Sequence, residues 1–181
     1  MSTSAEWNAL RQQILDKAVV HGKVILSSGR EADYYIDLRR VTLDAEAAPL
    51  VGAVMRQVNS GLDYQAAGGL TLGADPVASA MMHNAAGEGE LLNSFVVRKS
   101  EKQHGLQRRI EGPDVNGIRV LAVEDTSTTG SSVMTAVEAL LVDRAVIAGV
   151  SVIVDRGARA AVEERGYKYT AAYTLADLGL E

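Results

Sequence analysis

The chain reads as an α/β protein: a parallel sheet with helices on both faces. Two observations lead there. Strand-like runs alternate with helix-like patterns through most of the 181 residues, an order that joins parallel strands by helical crossovers. The run Val120-Leu121-Ala122-Val123 is apolar without a break, as for a strand covered on both sides. The length suits one domain with a real core.

Taken in order, residues 6–20 carry Leu10, Ile14 and Val19 at helical spacing and predict a helix. Residues 21–41 are mixed, with a Ser27-Ser28-Gly29 turn and a strand-like Tyr34-Tyr35-Ile36-Asp37-Leu38 run. Asp44 is the expected cap of a helix over 45–59. Residues 63–69 form a short strand ending in Gly68-Gly69, and 70–75 a loop. Pro76 suits the first turn of a helix running to about Ala86. A strand over 91–97 leads into a long polar loop, 99–116. Residues 118–123 are a strand and 131–142 its helix. Strands over 145–154 and 167–174 enclose a helix over 158–165.

Ligands of such sheets bind at the carboxyl ends of the strands. The loops 70–75, 98–116 and 124–130, and the Asp155-Arg156-Gly157 turn, are therefore expected to converge. No repeat, low-complexity stretch or linker interrupts residues 1–181, which read as one domain. Within it, about residues 1–43 are expected to form an N-terminal helix and a small subdomain over the site.

Composition narrows the chemistry. There is no Cys, so disulfides and thiol chemistry are excluded. The three His lack HExxH-type spacing, which speaks against a zinc site. No apolar run approaches the roughly 18 residues of a membrane span. Residues 1–6 lack the basic-then-apolar order of a secretory signal, so a cytoplasmic protein is expected. A net charge of −5 argues against a nucleic-acid binder. Against that charge, Arg98, Lys99, Lys102, Arg108 and Arg109 face only Glu101, a local charge of +4.

The apolar run of 120–123 is followed by Glu124-Asp125, then Thr126-Ser127-Thr128-Thr129-Gly130 and Ser131-Ser132 opening a helix. Backbone N–H groups at a glycine turn and a helix start attract an anion, and the hydroxyls add donors. The acids repel phosphate and suit sugar hydroxyls, or a metal bridging sugar and phosphates, so a ligand with both a sugar diol and a phosphate is implied. A plain strand–loop–helix junction with Asp and Thr as caps is the competing reading. The 98–109 segment puts cations on a Gly-containing loop, which suits an anionic group and would exclude water on closing; a solvated surface loop is the competing reading. Tyr34-Tyr35 offers faces for a planar base. Arg156, at a strand end, can take a carboxylate in a bidentate way, or pair with Asp155 at the surface.

The acid pair and hydroxyl loop resemble the phosphoribosyl-pyrophosphate (PRPP) signature of type I phosphoribosyltransferases. The pattern Arg98-Lys99-x-x-Lys102-x-His104-Gly105 resembles the catalytic loop of the orotate phosphoribosyltransferases, and the likeness extends in order from Ser28-Gly29 to Arg156. The resemblance implies a Rossmann-like type I phosphoribosyltransferase sheet with a small N-terminal hood. It implies PRPP contacts from Arg98, Lys99, Lys102 and His104, with Lys102 on the pyrophosphate. Catalytic weight falls on Lys102, Glu124 and Asp125. Glu124 and Asp125 would hold the ribose hydroxyls, and Thr126, Ser127, Thr128, Thr129, Gly130, Ser131 and Ser132 the 5-phosphate. Thr71, Leu72, Gly73, Ala74 and Asp75 stand in the pyrophosphate loop. Orotate falls to Tyr34, Tyr35, Thr128 and Arg156. Mg²⁺ is expected, held by substrate and water rather than by protein ligands. A homodimer is implied, with the loop 98–112 acting on the neighbouring subunit's site, and neither nucleic acid nor membrane as a partner.

Two departures stand out. Many relatives carry Lys in the pyrophosphate loop, and residues 70–75 have none. Many also carry Lys where this chain has Ser27. Backbone donors, or Arg108 and Arg109, are the expected substitutes. A purine phosphoribosyltransferase would keep the acid pair but lack the 98–105 loop pattern and the aromatic pair. A PRPP-fold regulator binding nucleic acid is the other alternative.

Overall fold

The computed structural model describes residues 4–25, 31–100 and 109–181. The expected Ser27-Ser28-Gly29 turn and the loop residues Lys102, His104 and Arg108 lie outside them.

Helix α1 (Ala5–Gln13) starts where Ser4 Oγ accepts from the Trp7 N–H at 3.1 Å. A π-helical turn, Ile14–Ala18, continues it. Strand β1 (Val19–Ile25) then begins, so the helix ends before the expected Val20. Val19 and Val20 pair instead with Ile36 and Tyr35 of β2 (Glu31–Ile36) in a two-stranded antiparallel sheet. β-Branched residues fit that pleat better than a helix end. The strand-like 34–38 run stops at Ile36, and α2 (Arg39–Thr42) follows, which the sequence pattern had not indicated. Helix α3 (Ala47–Val58) begins two residues past the expected start, with Glu46 rather than Asp44 at its N-cap; Asp44 precedes it in a turn and accepts from the Glu46 and Ala47 N–H groups at 3.0 Å each.

The main sheet follows, with β3 (Ala66–Leu70), α4 (Ala74–Gly87), β4 (Asn93–Val97), β5 (Ile110–Glu111), β6 (Arg119–Ser127), α5 (Ser131–Val142), β7 (Val146–Asp155), α6 (Arg159–Glu163), β8 (Tyr169–Thr174) and α7 (Leu175–Leu178). Its order is β5-β4-β3-β6-β7-β8, parallel except for β5 against β4. β5 lies inside the stretch expected to be loop, because buried Ile110 pairs with Val97. β6 runs past the expected end at Val123, since its pairing with β7 continues to Thr126–Val154 and Ser127–Asp155. α7 was also unexpected; Thr174 and Asp177 close it in a reciprocal capping box.

The unbroken apolar run of β6 is buried on both faces. Leu121 and Val123 join a core with Leu10, Ile14, Met55 and Met81. Val120 and Ala122 join a second core with Phe95, Val137 and Leu140. From β3 the chain crosses towards β4, and from β6 it crosses the other way to β7 and β8. Between β3 and β6 the connections diverge, which opens a crevice at their carboxyl ends. Among the described residues no helix is long and apolar enough to cross a membrane.

Candidate active site

A cavity of 320 Å³ occupies that crevice. The carboxyl end of β6 supplies Glu124, Asp125 and Thr126, the segment after β3 supplies Thr71, Leu72 and Gly73, and Lys99 follows β4. The small sheet closes the cavity with Tyr35 and, just beyond β2, with Asp37 and Arg39. Ser132 in the first turn of α5 completes this wall.

The acid pair sits on the end of a strand rather than on a free loop, so hydrogen bonds hold its backbone. Glu124 is only 6 % exposed, and its Oε1 accepts from the Asp125 N–H at 3.2 Å. Asp125 Oδ1 accepts from the Thr126 N–H at 2.7 Å. Neither carboxylate has an ion-pair partner among the described residues. Burial, and then the charge of Asp125, push the Glu124 carboxyl up to about 8. Burial also raises Asp125, against the opposing pull of the Thr126 N–H and of Arg39. Such a pair attracts hydroxyl donors or a developing positive charge, and repels phosphate.

The opposite wall comes close. A Cβ on Gly73 would strike Glu124 Oε1 and stand 2.8 Å from Asp125 Oδ1. A side chain here would have to displace the carboxylate ends of both acids. Thr71 Oγ1 donates to Asp75 Oδ2 at 2.7 Å, while Asp75 Oδ1 is buried without a partner. Ala74 is buried and Leu72 is 60 % exposed. The Thr71–Leu72 peptide is cis.

The hydroxyl turn is organised by its own side chains. Ser127 Oγ accepts from the Gly130 N–H at 3.2 Å and Thr129 Oγ1 from the Ser131 N–H at 3.4 Å. Gly130 has φ +77°, and a Cβ there would also meet Val162 at 3.1 Å. Thr128 is exposed. Thr129, Gly130 and Ser131 line a separate hollow of 190 Å³, and Thr126 and Ser132 face the main cavity. Thr126 Oγ1 is buried and unpartnered.

Adjacent positions on a strand face opposite ways, and this separates the two tyrosines. Tyr35 faces the cavity. The Tyr34 hydroxyl donates to the Leu180 carbonyl at 2.8 Å and its ring packs on the larger core. Arg156 does not line the cavity; its N–H donates to the Ser127 carbonyl at 2.8 Å. Asp155 does not pair with it. Its Oδ1 accepts from the Gly157 and Ala158 N–H groups at 2.9 Å each and from the Tyr169 hydroxyl at 3.1 Å. Arg98 Nη1 lies 3.4 Å from Glu111 Oε1. Arg109, expected as a substitute cation, spends its guanidinium on the Arg98 and Lys99 carbonyls. Sequence reading missed Asp37 and Arg39 as cavity residues. The available signal was two opposite charges directly after the tyrosine strand.

Among the described residues no group of three or more His, Cys, Asp or Glu side chains is arranged to hold a metal ion. The acid pair alone, unpaired with any described cation, fits a metal whose other ligands come from substrate and water.

No protein-family model matches the chain. The orotate phosphoribosyltransferase of Streptomyces avermitilis is 61 % identical over 176 residues, which is 96 % of this chain and 97 % of that protein. A crystal structure of the Mycobacterium tuberculosis H37Rv orotate phosphoribosyltransferase superposes with a TM-score of 0.88 at 52 % identity, covering 97 % of this chain and 99 % of that one. A second structure of the same enzyme, in complex with PRPP, gives a TM-score of 0.84 at 46 % identity over 97 % and 99 %. Likeness of this degree along nearly the whole of both chains, in sequence and in backbone, makes this protein a member of the orotate phosphoribosyltransferase family of pentosyltransferases.

Proposed function

We propose that the chain transfers the 5-phosphoribosyl group of PRPP to N1 of orotate, giving orotidine 5′-monophosphate and pyrophosphate on the route to UMP. The observation that carries this reading is the buried acid pair on the end of β6, facing the Gly73 loop across the cavity. The C1–oxygen bond of PRPP loosens, and its electron pair leaves with the pyrophosphate. Positive charge gathers at C1, which Glu124 and Asp125 favour while they hold the ribose hydroxyls. Orotate N1 closes on C1 from the opposite face and gives up its proton. The protein does little covalent chemistry, so positioning and electrostatics supply most of the catalysis.

Tyr35 stacks on the flat pyrimidine, and Tyr34 supports the strand from the other side. Arg156 and Thr128, which stand outside the cavity lining, would reach the orotate carboxylate from the ends of β7 and β6. The 126–132 turn takes the 5-phosphate. Arg98, Lys99, Lys102 and His104 meet the pyrophosphate. Glu124 and Asp125, with substrate oxygens and water, would hold a Mg²⁺ ion, which would supply charge neutralisation to the diphosphate. Two copies form a homodimer in which the 98–112 loop serves the neighbouring site. An apolar cleft of 840 Å³ beside the pyrophosphate loop, rimmed by exposed Leu43 and Leu72, supports a face covered by a second copy.

The test is the ultraviolet loss of orotate with purified protein, PRPP and Mg²⁺. PRPP-dependent loss with stoichiometric pyrophosphate is the expected result. Turnover of adenine or hypoxanthine instead of orotate would sink the substrate assignment.

A further inference from the structure

Cations are few among the described residues of the cavity. Its described lining holds three acids, Asp37, Glu124 and Asp125, against two cations, Arg39 and Lys99. The 71–73 wall has no basic side chain. A diphosphate ligand needs donors on that side, and Arg109 is committed to backbone carbonyls. Arg39 is differently placed. Asp37 Oδ1 accepts from its Nε at 2.8 Å and from its backbone N–H at 3.3 Å. That leaves both Nη groups without a hydrogen bond or ion pair among the described residues, on a side chain 46 % exposed. An Nε anchored on a carboxylate fixes the guanidinium plane. The Nη pair then presents the parallel donors that fit two oxygens of one phosphoryl group.

We infer that Arg39 is a diphosphate-binding residue of this site and that Asp37 is its positioning residue. The inference rests on the PRPP-transfer reading above and names a contact within it. Arg39 grips the diphosphate in PRPP and after it departs, while Asp37 holds the fork towards the 71–73 wall. The alternative partner of comparable chemistry is the orotate carboxylate. Arg39 lines the same cavity as the acid pair and the 71–73 segment, which has no cation of its own, and this favours the diphosphate.

The test uses the intact protein and its Arg39→Lys, Arg39→Ala and Asp37→Asn variants. Calorimetry reads Mg²⁺-pyrophosphate affinity, and steady-state kinetics vary PRPP and orotate separately. Losing a charge-assisted bidentate contact should weaken pyrophosphate binding and raise the KM for PRPP by roughly tenfold or more in Arg39→Ala. The KM for orotate should stay within about twofold. Arg39→Lys should recover part of the loss, since it restores the charge without the fork, and Asp37→Asn should fall between the parent and Arg39→Ala. A purely structural role would move both substrates together and would gain nothing from lysine. Unchanged pyrophosphate affinity in Arg39→Ala, with a parent that consumes orotate, overturns the inference and leaves the function standing. A loss confined to orotate moves the contact to the base and equally overturns it. A parent that neither binds pyrophosphate nor consumes orotate overturns the function itself.

Discussion

Glu124 and Asp125 are neighbours in the chain, short of water, and unpaired with any described cation. Two such groups resist ionising together. Because the folded state raises the Glu124 carboxyl from 4.5 to about 8, it binds a proton there that the unfolded chain has lost. This term favours the fold at acid pH and is lost as pH rises through that window. Glu124→Gln removes the titration and keeps the shape. The free protein should therefore gain Tm, by roughly a few degrees, at about pH 8 and little at about pH 5; thermal melts at the two pH values check it. An equal gain at both would count against burial as the cause. The acid pair was legible because its two members adjoin one another and follow an apolar run. Arg39 was not, since the residues that line the cavity with it come from the ends of β2 and β6 and from the 71–73 segment, far apart in sequence.

Elements decide how firmly these residues are held. The helix over 131–142 was legible to the residue, bounded by Gly130 and Asp143. The end of β6 was not, because hydrogen bonds to β7 outweigh the loop-like composition of Thr126-Ser127. The β7–α6 junction shows the same dependence. Buried Asp155 gathers two backbone N–H groups and the Tyr169 hydroxyl, and so fixes the turn that carries Arg156. Burial beside that carboxylate raises the Tyr169 phenol well above its ordinary value, which keeps it a donor. Asp155→Ala strands three donors and should cost about 2–4 kcal/mol. Urea denaturation reads that cost, and the KM for orotate should rise with it through Arg156. Asp155→Asn keeps an acceptor and should recover part of both. Full stability in the alanine variant would show the turn to be held by other contacts.

Across the whole molecule, topology assembles the site. The divergence of connections between β3 and β6 makes the crevice, and the β1–β2 sheet closes it with Tyr35. That sheet is tied to the far end of the chain. The Tyr34 hydroxyl of β2 donates to the Leu180 carbonyl at 2.8 Å, and helix α1, which leads into the sheet, is tied there too: the Trp7 Nε1–H donates to the Ala172 carbonyl at 2.9 Å and the Tyr173 hydroxyl donates to the Trp7 carbonyl at 2.7 Å. The apolar cleft beside the 71–75 segment belongs to this scale as well. Leu43 is 70 % exposed, so Leu43→Glu should leave the folded subunit intact. If a second copy covers the face, a buried charge there should shift sedimentation towards monomer and lower turnover as the neighbour's loop is lost. Unaltered mass and activity would move the subunit contact elsewhere.

The alternation of strands and helices, the double burial of β6, and the chemistry of an acid pair beside a hydroxyl turn could all be read before any fold was known. Each depends on spacing along the chain, with periods of about 2 and 3.6, or on residues that adjoin one another. Folding alone settled which tyrosine faces the cavity, that Arg109 is occupied by backbone carbonyls, that Asp155 caps a turn rather than pairing with Arg156, and that Arg39 reaches the acids. Those outcomes are competitions between alternative partners, some adjoining and some far along the chain, decided by strand order and register, and no local pattern records which one wins.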